Sequence, residues 1–143
     1  MLKVGKILFI LVPLVIYIAQ PKDLSSHKWK DRLLLVMTDD LSNPFFLDQL
    51  AELNTDIPGL DDRKLKIYQV TPTEYMQGLS DGIWNESGKL FEGFKESDSP
   101  FEIVLIGLDG GVKLLKTIVL TLTEIFGTID AMPMRVNELK RKL

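Results

Sequence analysis

Leu33 to Met37 is an unbroken run of five apolar residues between Arg32 and Thr38, the pattern of a buried strand. A polar break runs from Asp39 to Asn43. Asn43 suits a helix cap and Pro44 the first helical turn. Phe46, Leu47, Leu50 and Leu53 then recur at helical spacing with Asp48 and Glu52 outside, and Pro58-Gly59 is expected to end that helix. Leu65 to Val70 alternates and predicts a second strand. The stretch 72–81 has no clear period. Ile83, Trp84, Leu90, Phe91 and Phe94 predict a helix over 83–94, weakened by Gly88 and Gly93. Pro100 leads into a strong strand, Phe101 to Ile106. Asp109-Gly110-Gly111 is a turn and Val112 to Leu115 a returning strand, together a β-hairpin. Thr121 and Glu124 form a capping box ahead of Leu122, Ile125, Phe126 and Ile129. Pro133 interrupts, and a last short helix is expected over 134–143, with Val136, Leu139 and Leu143 on one side and Glu138 paired to Lys142.

The predicted order is strand, helix, strand, helix, strand, strand, helix. A βαβ unit followed by ββα is the order of the thioredoxin fold. The expected class is therefore α/β, thioredoxin-like, with a four-stranded mixed sheet flanked by helices. Residues 24–143 read as one domain.

The first residues carry a different signal. Lys3 and Lys6 precede an apolar run from Ile7 to Ala19, whose thirteen residues reach roughly 20 Å as a helix, short of the ~30 Å bilayer core. Residues 1–19 are expected to be a signal peptide, or, because Tyr17 is bulky three residues before the cut, an uncleaved N-terminal anchor. The domain is thus expected outside the cytoplasm, periplasmic or extracellular, with membrane contact only through this segment if it remains.

Composition removes several classes of chemistry. Apolar residues are 45% and charged residues 26%, ordinary for a globular domain. The net charge of −3, or −5 without residues 1–19 (15 cations against 20 acids), is a poor match for nucleic acid. There is no cysteine, so disulfides, thiolate nucleophiles and Cys-ligated zinc are unavailable. The single histidine, His27, lies in a polar stretch and is expected to be exposed rather than catalytic. No metal-ligating or nucleotide-binding pattern is present, and no cofactor is expected.

Several segments go beyond pattern. Leu105-Ile106-Gly107-Leu108-Asp109-Gly110-Gly111-Val112-Lys113-Leu114 resembles the glycine-rich hairpin of the P-DUDES family, a domain of unknown function found in bacterial exported proteins and in animal equarin and sushi-repeat proteins. Ile129-Asp130-Ala131-Met132-Pro133-Met134-Arg135, with Glu138 behind it, is similar to that family's C-terminal signature. Trp29-Lys30-Asp31-Arg32 resembles its opening, Asp62-Arg63-Lys64-Leu65 its lead into the second strand, and Gln49 the glutamine of its first helix. The resemblance spans about residues 24–140. It implies a thioredoxin-like fold related to peroxiredoxins, outside the cytoplasm, with no settled activity. Thr38-Asp39-Asp40-Leu41-Ser42-Asn43-Pro44 occupies the place where those relatives hold their reactive cysteine, and it holds none.

The remaining candidates for chemistry are few. Thr38, Asp39 and Asp40 stand at the C-terminal end of the first strand, an edge that ligands of open α/β sheets favour. The two carboxylates could take a cation or act as acid and base; alternatively they shape a loop near a helix N-terminus. Arg32, Arg63 and Arg135 either pair with Asp109 or Asp130 to fix loops, or gather as an anion site. Gly107, Gly110 and Gly111 read as a turn rather than a phosphate cradle, and Met132 and Met134 as packing rather than copper ligands. Trp29, Trp84, Phe45, Phe46, Phe91 and Phe94 are core candidates, any exposed subset being a partner surface.

Three functional readings follow: a binding or interaction module with an unidentified protein or small-molecule partner, a non-thiol enzyme using the Asp39/Asp40 edge, and a membrane-tethered structural protein. Intact-mass analysis of exported protein is expected to show loss of residues 1–19; retention of those residues favours the tether.

Overall fold

Arg32–Thr38 forms the central strand, β1, and all seven of its residues are buried. In the computed structural model, which describes residues 24–86 and 88–143, β1 runs parallel to β2 (Leu65–Val70), with Arg32 opposite Leu65 and Met37 opposite Val70. On its other side β1 runs antiparallel to β5 (Phe101–Ile106), with Thr38 opposite Phe101. Strand β6 (Val112–Lys116) returns along β5, with a bulge between Leu105 and Ile106. These are the four expected strands in the expected directions. Two more extend the sheet beyond β2: β3 (Glu74–Gln77) and the short β4 (Asn85–Glu86), giving six strands in the order β4-β3-β2-β1-β5-β6. The expected leader, residues 1–19, lies outside the described residues.

The two faces of the sheet follow from alternation along β1. Leu34 and Val36 point to one face, where α1 (Pro44–Leu53), α2 (Ile57–Asp62) and α4 (Leu122–Asp130) contribute Phe46, Leu53, Leu60, Ile125 and Ile129. Leu33, Leu35 and Met37 point to the other, covered by Leu90, Phe91 and Phe94 of α3 (Gly88–Phe94) and by Leu24 of a single 3₁₀ turn, Leu24–His27. Each fully buried side chain of this size is worth about 1.5–3 kcal/mol, so these two layers supply the main driving force.

Some predicted elements differ in the structure. Pro58 and Gly59 do not end α1; they lie inside α2, where Pro58 sits in the first turn and the Asp56 carboxylate accepts from Gly59 N–H at 2.9 Å. The helix expected over 83–94 begins only at Gly88, because Asn85–Glu86 pairs with β3, and Ile83 is 82% exposed. Trp29 and Phe45 are exposed rather than in the core. The final helix, α5 (Pro133–Arg141), forms as expected but packs differently. Val136, Leu139 and Leu143 face solvent, and its one buried residue is Arg135. The capping box of α4 and the Asn43 cap of α1 are both present. No peptide bond among the described residues is cis, so Pro100 follows a trans bond.

One internal connection holds the chain entering α4. Gln49, fully buried on α1, donates from Nε2 to the Leu120 carbonyl at 3.0 Å and accepts from Leu120 N–H at 2.8 Å. Three residues on, Glu52 accepts from Leu122 N–H at 2.8 Å. The Gln49 amide thus acts as a strand for a segment that has none. Gln49→Leu leaves a buried N–H and a buried carbonyl unpaired and is expected to cost about 2–4 kcal/mol in urea unfolding.

Candidate functional site

The two halves of the predicted ligand edge lie at opposite ends of β1. Six residues at ~3.3 Å each put Thr38 about 20 Å from Arg32. At the Thr38 end, Thr38 Oγ1 donates to the Asp40 carbonyl at 2.7 Å, and the Asp40 carboxylate accepts from Ser42 N–H and Oγ–H at 2.9 and 2.8 Å. Those two Ser42 donors hold the Asp40 carboxyl below its ordinary value. Asp39 is exposed, and its N–H donates to the Pro100 carbonyl. Nearby Glu102, fully buried, accepts from Glu96 N–H, Ser97 N–H and Ser97 Oγ–H and lies 3.6 Å from Lys95 Nζ. The Asp40 and Glu102 carboxylates of this end shape turns. Among the described residues no group of three His, Asp or Glu side chains is placed to hold a metal ion.

The other end gathers all three arginines, and each meets a carboxylate, as the pairing reading expects, with Asp130 among the partners. Arg135, 2% exposed, donates from Nε to Asp130 at 3.1 Å, from Nη1 to the Asp62 carbonyl at 2.9 Å and to Glu138 at 3.3 Å, and from Nη2 to the Asp62 carboxylate. Arg63 meets Asp130 side-on at 3.0 and 2.8 Å while its guanidinium lies 3.8 Å from the centre of the Phe126 ring. Arg32, 1% exposed, grips Glu138 with both Nη atoms at 3.3 and 3.2 Å. Glu138 therefore serves Arg32 and Arg135, while Lys142 pairs with Asp62 instead of Glu138. Asp109, for its part, pairs with Lys113 at 2.8 Å and not with an arginine.

The backbone explains why the arginines are needed. After α2 the chain turns through Lys64 at φ +51°, and three successive carbonyls lose helical partners. Arg135 takes that of Asp62, the Arg32 side chain that of Arg63 at 2.9 Å, and the Arg32 backbone N–H that of Lys64 at 2.8 Å. The electrostatics agree. Hydrogen bonds from Lys142 and then Arg135 pull Asp62 down to about 2. Burial pushes Asp130 and Glu138 up, but the arginines outweigh it and both end below their ordinary values. Burial likewise disfavours the Arg135 cation, and its three carboxylate partners more than restore it.

Beside this network opens a cleft of about 250 Å³. Arg32, Met132, Pro133 and Met134 line one side; Gly107, Leu108, Asp109 and Lys113 of the β5–β6 turn line the other. Every one of these except Leu108 was singled out in the sequence, in three segments: Arg32, residues 107–113 about 75 residues on, and residues 132–134 a further 19 on. At Gly107 a Cβ would stand 2.6 Å from Lys113 Cε, so a larger residue there would have to move the end of that lysine. Gly110 takes a positive φ of 81° in the turn, as its sequence predicts. Trp29, 61% exposed, donates its N–H to the Leu108 carbonyl and holds φ +67°, a strained value for a bulky residue.

His27 is the clearest miss of the sequence reading. It is half-buried, with Nδ1 2.8 Å from Asp31 and Nε2 2.6 Å from the Tyr68 hydroxyl, which lies 3.3 Å from Gln77 Oε1. Burial pushes the Tyr68 phenol up to about 12. His27 and Asp31 line a second hollow of about 250 Å³ that shares Gly107 and Asp109 with the cleft. Asp31 four residues after His27, in a turn, was the available signal; Tyr68 was too distant in sequence to find.

Residues 23–138 match the family model described as Domain of unknown function (DUF4174). The chain belongs to this family. Two solved structures are similar to this DUF4174 domain. One is the mitochondrial 2-Cys peroxiredoxin from Plasmodium falciparum (16% identity, TM-score 0.54, 81% of this chain and 83% of that one). The other is the reduced 2-Cys peroxiredoxin of Plasmodium vivax (16% identity, TM-score 0.54, 82% and 84%). The likeness shows a thioredoxin-like fold. No curated protein matches the chain.

The network dictates an acid response. Asp62, Asp130 and Glu138 have folded values below their unfolded ones, near 4. Their stabilisation is complete above about pH 5 and is lost as pH falls through the folded values, toward about 2 for Asp62. The urea midpoint is expected to hold from pH 7 to about 5 and to fall between about pH 4 and 2. Arg135→Met, which leaves the Asp62 carbonyl without its donor and takes one of two hydrogen-bonded cationic partners from Asp62, Asp130 and Glu138 alike, is expected to cost about 1–3 kcal/mol at pH 7 and to flatten that fall.

Proposed function

We propose that this DUF4174 domain is an exported, thiol-free binding module of the P-DUDES kind, and that its ligand seat is the cleft between Arg32, the β5–β6 turn and Met132-Pro133-Met134. The observation that carries the reading is the convergence of three separated motif segments on one hollow. The chain has no cysteine, so the thiol chemistry of the fold's better-known members is unavailable. The Asp39/Asp40 end offers two short turns already satisfied by Ser42 and Thr38, whereas the Arg32 end combines a concave apolar wall with charged groups, the usual make-up of a small-molecule site. The strained Trp29 backbone beside Leu108 supports the same place, since such strain clusters where function requires a shape. Release of residues 1–19 would leave the domain free outside the cytoplasm.

A fragment library screened against methyl-labelled full-length chain tests this. Shifts confined to Leu108, Met132 and Met134 are expected. Shifts confined to the Thr38–Asn43 end transfer the reading to the acidic edge, and a library that moves neither end removes the small-ligand function.

A further inference from the structure

We propose that the cleft binds a small monocarboxylic acid with a short apolar body, its carboxylate set between the Arg32 Nε–H and the Lys113 ammonium and its body among Leu108, Met132 and Met134. This deepens the binding reading above and rests on it. Arg32 Nε is, among the described residues, the one buried side-chain nitrogen or oxygen without a hydrogen-bond partner in the protein. Its Nη atoms are engaged by the Arg63 carbonyl and Glu138, yet the third edge of the fork has no acceptor although the residue is 1% exposed. Buried donors are almost always paired, and an exception needs an explanation. Arg32 lines the cleft, so an acceptor brought by a ligand completes its set.

The charge favours an anion. The ion pairs of this end, among the described residues, set Arg32, Arg63, Arg135, Lys64 and Lys142 against Asp62, Asp130 and Glu138, five cations to three carboxylates. Lys113 adds a cation and Asp109 cancels it. The donors that remain, one guanidinium N–H and one ammonium shared with Asp109, suit a singly charged carboxylate; a phosphate gathers more. Leu108, Met132, Pro133 and Met134 supply the apolar wall, and about 250 Å³ limits the body to a short chain or a single ring. The Nε–H is covered, so the ligand reaches it by turning a wall side chain aside, a movement for which unbranched methionines are the adaptable residues.

The test is an NMR titration of ¹⁵N- and methyl-labelled full-length chain, with hexanoate as the probe and hexanamide as its uncharged counterpart. Hexanoate is expected to move the Arg32 Nε–H signal together with the Leu108, Met132 and Met134 methyls, and to bind at least tenfold tighter than hexanamide. Lys113→Ala is expected to weaken hexanoate several-fold while leaving hexanamide unchanged, and Met134→Trp, which fills the cleft without touching the ion network, to abolish both. Equal binding of the two probes in the cleft overturns the carboxylate assignment and leaves the binding module standing. Hexanoate binding that Met134→Trp does not affect places the site elsewhere and overturns the proposal. Silence of both probes at these residues overturns the proposal and counts against the cleft itself.

Discussion

A guanidinium almost closed off from water must find oxygens for its N–H groups, and Arg135 makes four such bonds by drawing Asp62, Asp130 and Glu138 to one point. The lower half of the molecule is arranged around this requirement. Asp130 ends α4, Asp62 ends α2 and Glu138 lies on α5, so one side chain fixes three helices. Arg32 and Arg63 repeat the device at β1 and at the turn into β2. Helix α5 buries no apolar side chain of its own and is held to the body by charge, an arrangement in which losing one partner costs more than the pair contributes.

The same arrangement separates the two ends of the sheet by role. At the C-terminal end of β1, where the thioredoxin fold usually places its chemistry, Thr38, Asp40 and Ser42 form a tight turn without a thiol. At the N-terminal end the arginines take up the carbonyls after α2 and leave a cleft against the β5–β6 turn. A shared scaffold thus carries this cleft at the opposite end of its central strand from the one that fold analogy points to.

The sheet core was legible because Leu33 to Met37 and Phe101 to Ile106 have apolar side chains on both faces, a pattern that few structures other than a central strand satisfy. Caps were legible for the same local reason: Asn43, Thr121 and Glu124 bond within three residues of themselves. Strand β3 was not, since Glu74–Gln77 becomes a strand through pairing with β2 and buries only Tyr75 and Met76. Asp56-Ile57-Pro58 carried a helix start that the Pro-Gly pair obscured. In α5 the apolar period of Val136, Leu139 and Leu143 pointed the wrong way, because a buried arginine leaves no trace in hydrophobic spacing. The cleft was half visible: its residues were chosen by motif, but their meeting across 100 residues of chain is a product of topology.

Gly107 shows how tightly the turn beside the cleft is drawn. The space its missing side chain leaves is filled by the stem of Lys113, with the Asp109 carboxylate 3.2 Å from the same point. An alanine there meets the flexible end of Lys113, which must swing to admit it, while Asp109 keeps the Gly111 N–H that closes the turn. Positions 107 and 113 therefore share one space, the stem of the lysine lying where the glycine has no side chain.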